Sequence, residues 1–147
     1  MFAILRAAID PRTLEIAVAS DECGAIVTFI GMVRAFADDG RRVTELAYEA
    51  YEPMAIAQFQ TIAAQAQERF GRVRIAIAHR VGMLAIGEIA VAVAVAAAHR
   101  ATAFEACAFA IDQLKARAAI WKREQYVDGA GEWIANTCGS GDGVDAG

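Results

Sequence analysis

The sequence predicts an α+β fold, in which a mixed sheet and two long helices form two layers. Apolar runs typical of strands alternate with segments of helical periodicity, but without the strict regularity of a parallel α/β fold. A length of 147 residues suits one domain with a sizeable core, and the chain has neither internal repeats nor an obvious linker. We therefore expect a single domain over residues 1–136 and a flexible, glycine-rich tail over residues 137–147.

The first two predicted helices have recognisable ends. Asp10 followed by Pro11 is typical of an N-cap before proline at the first helical position, which predicts a short helix to about Ala19. A long helix is expected from Pro53 through residue 70, since Gly71 suits the left-handed residue that ends many helices.

Apolar or alternating runs predict the strands, and polar or glycine-containing segments predict the loops between them. The predicted strands cover residues 24–33, 43–51, 73–81 and 88–98. The polar segment 35–42 predicts a mobile loop, and Gly82 and Gly87 are expected to bracket a turn.

A third helix, the second of the two long ones, is expected after Arg100, with Thr102 and Glu105 forming a capping box at its start. At helical spacing, one apolar stripe would contain Phe104, Cys107, Ala108, Ile111, Leu114 and Ala118. Lys115 projects close to the centre of this stripe. Its amine must therefore either reach solvent along the helix surface or line a cavity beside the helix.

Composition excludes several classes of protein and site. A net charge of −4 gives no general reason to expect nucleic-acid binding, and no apolar run reaches the eighteen residues of a membrane span. We expect no signal peptide, because a basic leader before a long apolar region is missing. Cys23, Cys107 and Cys138 are odd in number and lack a CxxC motif, which favours a reducing cytoplasm. His79 and His99 lack clustered carboxylates or thiols, so we expect neither a metal nor another cofactor.

Basic residues are the first candidates for chemistry. The only two lysines, Lys115 and Lys122, lie in one short stretch, whereas arginine occurs twelve times. A desolvated lysine can lose its proton and act as a base or nucleophile, although an arginine-favouring genome would also explain the scarcity of lysine. His99 and Arg100 pass from a strand end into a helix start, a position that favours phosphate, and Arg34 ends another strand. The alternatives are a solvated surface position for the two arginines and a hydrogen bond to a carbonyl for His99.

Four segments together resemble the large, catalytic subunit of molybdopterin synthase. They are GAIVTFIGMVR (24–34), YEAYEPMA (48–55), IAHRVGMLAIGEIAVAVAVAAAHRATAFEA (77–106) and LKARAAIWKRE (114–124). Their order and spacing are specific in combination, and the resemblance covers roughly residues 10 to 136. The resemblance implies an α/β hammerhead fold with a small additional β subdomain.

The resemblance also implies an activity and its partners. Members of this family are cytoplasmic sulfurtransferases of molybdenum cofactor biosynthesis, which convert cyclic pyranopterin monophosphate (precursor Z) to molybdopterin. Sulfur arrives as a thiocarboxylate on the C-terminal Gly-Gly of a small ubiquitin-like subunit. Two large subunits form a homodimer with one small subunit on each, giving a heterotetramer.

Matched position by position, the resemblance implies which residues carry this activity. The catalytic lysines fall on Lys115 and Lys122. Besides these two, the substrate-binding residues fall on Met32, Val33, Arg34, His99, Arg100, Arg123 and Glu124. Met32 replaces a lysine that is frequent in the family, so one cation is lost there. This loss favours a non-catalytic phosphate-binding module as one alternative, and a dimerisation domain is the other.

Overall fold

The computed structural model describes residues 1–136 and confirms the α+β class, with one mixed sheet, one smaller antiparallel sheet and three helices. The predicted flexible tail and Cys138 lie outside the described residues. In chain order the elements are β1 (Phe2–Leu5), α1 (Pro11–Val18), β2 (Ala25–Met32), β3 (Val43–Ala50), α2 (Glu52–Phe70), β4 (Arg74–Arg80), β5 (Gly82–Ala85), β6 (Ile89–Ala97), α3 (Arg100–Arg117), β7 (Ile120–Tyr126), β8 (Gly129–Ala130) and β9 (Ile134–Ala135).

The main sheet has the strand order β1-β4-β6-β2, in which only β1 and β4 run parallel. Strands β4 and β6 are buried on both faces because branched residues and alanines alternate along them. The branched residues face α2 and α3 in the main core: Ile75, Ile77, Val91, Val93 and Val95. The alanines face α1 in a second cluster: Ala76, Ala78, Ala92, Ala94 and Ala96.

The ends of the first two helices follow the sequence prediction. The Asp10 side chain accepts a hydrogen bond from the Arg12 amide, 3.0 Å away, and α1 ends at Val18. Helix α2 ends where Gly71 takes a φ of +81°, a backbone conformation that L side chains rarely adopt.

The predicted start of α3 was wrong. The helix begins at Arg100 with His99 as its N-cap, and no side chain caps it. Thr102 is therefore already the third helical residue, so the expected capping box does not exist.

The predicted stripe of α3 was also partly wrong. Phe104 is 62% exposed and Ala108 is exposed, whereas Cys107 and Leu114 are buried as expected. The buried face runs instead through small residues, since alanines allow the helix to lie close to the sheet. The fully buried members of this face are Ala103, Ala106, Ala110 and Leu114. Lys115 follows Leu114 at the border of the face and is half-buried.

The small sheet is the additional β subdomain that the resemblance implies. Strand β3 pairs with both β5 and β7, and β7 also pairs with β8 and β9, in antiparallel fashion throughout. The segment between Gly82 and Gly87 thus contains a four-residue strand where only a turn was predicted. Glu88 holds this segment in place, because one carboxylate oxygen accepts from the Ala85 amide at 2.8 Å and pairs with Arg80 at 3.2 Å.

The alanine face under α1 gives a test of the packing. We expect Ala94→Leu to lower the free energy of unfolding by about 1–3 kcal/mol or more, because Ala94 is fully buried between the sheet and α1. Ala57→Leu, on the exposed side of α2, is the matched control and should change it by less than about 0.5 kcal/mol. Urea unfolding measures both, and equal stabilities of the two variants would contradict the close approach of α1.

Candidate active site beside the small sheet

One cavity of about 100 Å³ brings together residues from four parts of the chain. They are the end of β2 with the loop after it, strand β3, the last turn of α3, and β7. The lining residues are Met32, Val33, Arg34, Phe36, Ala37, Val43, Leu46, Tyr48, Lys115, Lys122 and Glu124. Six of the nine residues expected at the site therefore share one cavity.

The two lysines reach this cavity from different elements. Lys115 lies in the last turn of α3, and the remaining chain turns back immediately into β7, which carries Lys122. Lys122 stands opposite Tyr48 on β3, and its amine lies 4.0 Å from a Glu124 carboxylate oxygen. Only 13% of the Lys122 side chain and 17% of the Glu124 side chain are exposed. Lys115 lines the same cavity, which is one of the two alternatives that its position in the sequence allowed.

The end of β2 supplies the opposite wall of the cavity. The register shifts between Gly31 and Met32, and Met32 is 60% exposed. Val33 is buried and fixed by two backbone hydrogen bonds: its amide donates to the Glu88 carbonyl at 2.9 Å, and its carbonyl accepts from the Gly87 amide at 2.7 Å. Arg34 follows with an exposed guanidinium that forms an ion pair with Asp38. The corner thus places one apolar side chain and one cation at the mouth of the cavity.

His99 and Arg100 lie far from this cavity within one chain. Both are exposed, and they stand at the first turn of α3, whereas Lys115 stands in its last turn. Fifteen residues at 1.5 Å per residue separate Arg100 from Lys115 by about 22 Å. The predicted grouping of these residues with the lysines is therefore not formed inside one chain.

Arg123 also lies apart from the cavity, because side chains alternate along a strand. Lys122 and Glu124 point to the cavity side of β7, while Arg123 lines a separate cavity of about 450 Å³ on the other face. Its guanidinium carbon lies 4.8 Å from the centre of the Trp133 ring. The run 122–124 therefore contributes two residues to the lysine cavity, and not three.

A buried histidine lies behind the cavity wall and was missed by sequence reasoning as a site residue. His79 is fully buried at the end of β4, and its ring meets the Tyr48 ring edge-on with centroids 4.9 Å apart. Burial, together with the positive charge of Lys115, lowers the pKa of His79 to about 4, although the hydrogen bond to the Arg80 carbonyl opposes this shift. Tyr48 belongs to one of the segments that carry the resemblance, but no local signal in the sequence pointed to a contact between β4 and β3.

Other candidate chemistry is limited. Cys107 is buried in the core, as the sequence indicated, and this burial raises the pKa of its thiol. Among residues 1–136, no group of three or more histidine, cysteine or carboxylate side chains is placed to hold a metal ion. No helix in that range is long and apolar enough to cross a membrane.

Comparison with known proteins identifies the family. Residues 4–117 match the family model described as MoaE protein. The chain belongs to the MoaE protein family. It is 42% identical over 135 residues to the molybdopterin synthase catalytic subunit of Bacillus subtilis (strain 168), covering 92% of this chain and 85% of that protein. The subunit of the same name from Pyrococcus abyssi (strain GE5 / Orsay) is 47% identical over 114 residues, covering 76% and 75%.

Solved structures of MoaE relatives have the same fold. Molybdopterin synthase from Staphylococcus aureus superposes with a TM-score of 0.85 at 34% identity, covering 89% of this chain and 94% of that chain. A second similar structure is the complex of subunits 1 and 2 of molybdopterin-converting factor from Helicobacter pylori 26695. It has a TM-score of 0.70 at 25% identity, covering 88% and 87%. The family resemblance stated from the sequence is thereby confirmed.

The buried His79 predicts a specific pH dependence of stability. Its pKa is lower in the folded chain, about 4, than the ordinary 6.5, so the unfolded chain binds a proton that the folded chain excludes. Stability should therefore fall as the pH drops below 6.5, by about 2 kcal/mol between pH 7.5 and pH 5 from this group alone.

Urea unfolding at these two pH values measures the effect. The matched variants are His79→Gln, which should lose this contribution, and His99→Gln, which should keep it because His99 is exposed. An equal pH dependence in the wild type and in His79→Gln would show that His79 does not titrate as its burial requires.

Proposed function

We propose that this chain is the catalytic subunit of a molybdopterin synthase, a cytoplasmic sulfurtransferase that converts cyclic pyranopterin monophosphate to molybdopterin. The observation that carries the proposal is the convergence of the chain's only two lysines on one cavity, in a member of the MoaE family. A protein that uses arginine almost everywhere else keeps lysine at the two positions where an amine faces a cavity. Fixed charge alone would be served equally well by arginine.

The proposed sulfur donor is a small ubiquitin-like subunit with a thiocarboxylate at its C-terminal Gly-Gly. The Helicobacter pylori complex of two subunits of molybdopterin-converting factor supports such a partner. Each thiocarboxylate gives up one sulfur and ends as a carboxylate. The two sulfurs of the dithiolene therefore require two thiocarboxylated partner molecules. An extended Gly-Gly tail suits a narrow approach to the lysines, because glycine adds no side chain that would clash with the walls.

Lys115 and Lys122 are the proposed catalytic residues. Sulfur transfer from an acyl group concentrates negative charge on oxygen and sulfur in the transition state, and a nearby ammonium group stabilises that charge or supplies a proton. The low exposure of Lys122 strengthens this electrostatic interaction, because little water screens it. Glu124 balances the positive charge of Lys122 within the cavity.

The remaining cavity residues are proposed to bind substrate. Met32 and Val33 form an apolar edge for the pterin, and Arg34 offers its guanidinium to the phosphate. The cavity of one chain holds about 100 Å³. Sites for small molecules typically enclose about 300–1,000 Å³, so one chain alone forms only part of the site.

We propose that a second copy of the chain completes the site with its His99 and Arg100. Strand β2 is an edge strand of the main sheet, and no strand within residues 1–136 pairs with its outer side. Ile26, Ile30 and Met32 are exposed along this edge, and so is Phe104 on the adjacent α3. An eight-residue apolar edge strand of this kind favours pairing with another strand.

A two-fold axis at this edge would bring the separated residues together. His99 and Arg100 lie near the start of β2, because Ala25 pairs with Ala97, while Met32 at its end lines the lysine cavity. When two such strands pair antiparallel, the start of one lies beside the end of the other. The His99 and Arg100 of each copy would then reach the cavity of the other. The resulting homodimer, with one small subunit on each copy, is the proposed heterotetramer.

The function is tested with Lys115→Arg. This variant keeps the positive charge but removes the titratable amine, so we expect sulfur transfer to fall at least about 100-fold, with stability and substrate binding nearly unchanged. The measurement is molybdopterin formed from thiocarboxylated partner, together with calorimetric binding of the pterin phosphate. The matched control is Arg117→Lys at an exposed position two residues further on, which should keep full activity.

Two outcomes would contradict the proposal. Near-normal turnover by Lys115→Arg would mean that the amine has no special role. The wild type could also bind the substrate but show no turnover with the thiocarboxylated partner. That result would favour a non-catalytic phosphate-binding module instead.

The shared site is tested by mixing two defective chains. Arg100→Ala should chiefly raise KM, because a phosphate anchor contributes similarly to the ground state and the transition state. In a mixed dimer of Arg100→Ala and Lys115→Arg, one of the two sites has both native residues. With random pairing, about a quarter of wild-type activity should return at low substrate concentration. Activity no greater than the sum of the separate variants would mean that each site is built within one chain.

A further inference from the structure

His79 forms a buried network that the proposed chemistry does not use. The ring connects three elements: its own strand β4, strand β3 through Tyr48, and the residue after β9, Asn136. Asn136 is 2% exposed, and its backbone amide donates to the Ile120 carbonyl at the start of β7, 2.8 Å away. A polar side chain is costly to bury without a partner, so a polar pair at this junction calls for an explanation beyond packing.

The hydrogen bonds of His79 select one tautomer. Its Nδ1 lies 2.8 Å from the Arg80 carbonyl oxygen, which only accepts, so Nδ1 carries the proton. Its Nε2 lies 3.3 Å from the Asn136 side-chain nitrogen, which only donates, so Nε2 offers its lone pair. Burial and the nearby Lys115 charge also disfavour a second proton on the ring.

The network ends at the wall of the lysine cavity. Tyr48 meets the His79 ring edge-on on one side, stands opposite Lys122 in the β3–β7 pair, and lines the cavity together with Lys115. Because interiors are close-packed, the position of the imidazole determines the position of the Tyr48 ring. A displacement of about 1 Å at such a wall is enough to change a reaction rate about 100-fold.

We propose that His79 is a positioning residue of the lysine cavity, held as its Nδ1–H tautomer by the Arg80 carbonyl and the Asn136 amide, and fixing the Tyr48 ring against Lys115 and Lys122. Asn136 then acts indirectly, because its side-chain amide donates to Nε2 of His79 and so keeps that nitrogen unprotonated. The kinetic part of this inference rests on the proposed sulfurtransferase function, whereas the tautomer and the geometry of the cavity do not.

The tautomer is measured directly by NMR of ¹⁵N-labelled imidazoles. The chain has only two histidines, so His99→Gln assigns the His79 signals without ambiguity. We expect a proton on Nδ1 and a free Nε2 near neutral pH. Asn136→Asp replaces the donor with a carboxylate, which accepts, and should bring a proton to Nε2. A proton on Nε2 in the wild type would overturn the proposal.

The effect on the cavity is measured at the lysines themselves. Reductive ¹³C-methylation labels Lys115, Lys122 and the N-terminus, and Lys→Arg variants assign each signal. His79→Gln keeps an amide near the Nε2 position but loses the ring that meets Tyr48, so we expect the lysine signals and the Tyr48 ring signals to shift. Ala94→Leu, which is expected to lower stability on the α1 side of the inner strand β6, is the control for lost stability and should leave these signals in place.

Kinetics distinguish a positioning role from a purely structural one. For His79→Gln and Asn136→Asp we expect kcat to fall about 10–100-fold, with KM changing by less than about threefold. Ala94→Leu should keep the wild-type kcat despite its loss of stability. Folded His79 and Asn136 variants with unchanged lysine signals and unchanged kcat would overturn the proposal.

The remaining outcomes are also decisive. If His79→Gln does not fold, Asn136→Asp applies the same readouts at a site close to the end of the described chain. If the lysine and Tyr48 signals shift but the wild type transfers no sulfur, the proposed function fails and the positioning role of His79 stands.

Discussion

The antiparallel pairing of β3 with β7 is the constraint on which the lysine cavity depends. This pairing sets Tyr48 opposite Lys122 and Leu46 opposite Glu124, and the alternation of side chains turns Arg123 to the other face. Two residues after the end of α3 are enough to begin β7, so Lys115 and Lys122 come to one cavity from a helix and a strand that follow each other directly. A slip of one residue in the register would exchange Lys122 for Arg123 and dismantle the cavity.

The parts of the fold that could be predicted from the sequence are those with a local cause. Asp10 before Pro11 caps α1 whatever lies elsewhere, and Gly71 ends α2 because few other residues adopt its conformation. The alternation of valine and alanine in β6 likewise determines a strand buried on both faces. By contrast, β1 and β5 have four residues each, and β8 and β9 have two. Strands β1, β5 and β9 form because a strand elsewhere in the chain offers backbone partners, and β8 forms only as the short second arm of a hairpin with β7, so no long local pattern marks them.

The same difference between local and distant causes decides which residues of the candidate site could be predicted. The resemblance named six residues that the structure gathers in one cavity, because their spacing follows from β2, α3 and β7 in turn. It could not indicate that His99 and Arg100 stand at the far end of α3, since a motif preserves order along the chain and not distance. Neither could it show His79, whose contacts with Tyr48 and Asn136 join three elements widely separated in sequence. The predicted capping box at Thr102 failed for a related reason: the chain enters the helix directly from β6, so the start is set by the sheet and not by the side-chain signal.

The lengths of α3 and β2 explain why His99 and Arg100 lie far from the lysines of the same chain. Helix α3 carries His99 and Arg100 about 22 Å from Lys115, and the eight residues of β2 beside it span about 23 Å at 3.3 Å per residue. A ligand the size of a pterin phosphate cannot bridge that distance, so a single chain cannot use both ends of α3 on one substrate. Two chains would do so if a two-fold axis perpendicular to their β2 strands paired these strands antiparallel, because the start of each strand would then lie beside the end of its partner. The same edge is apolar and unpaired within the described chain, so the surface that most needs covering is also the one whose covering would complete the site.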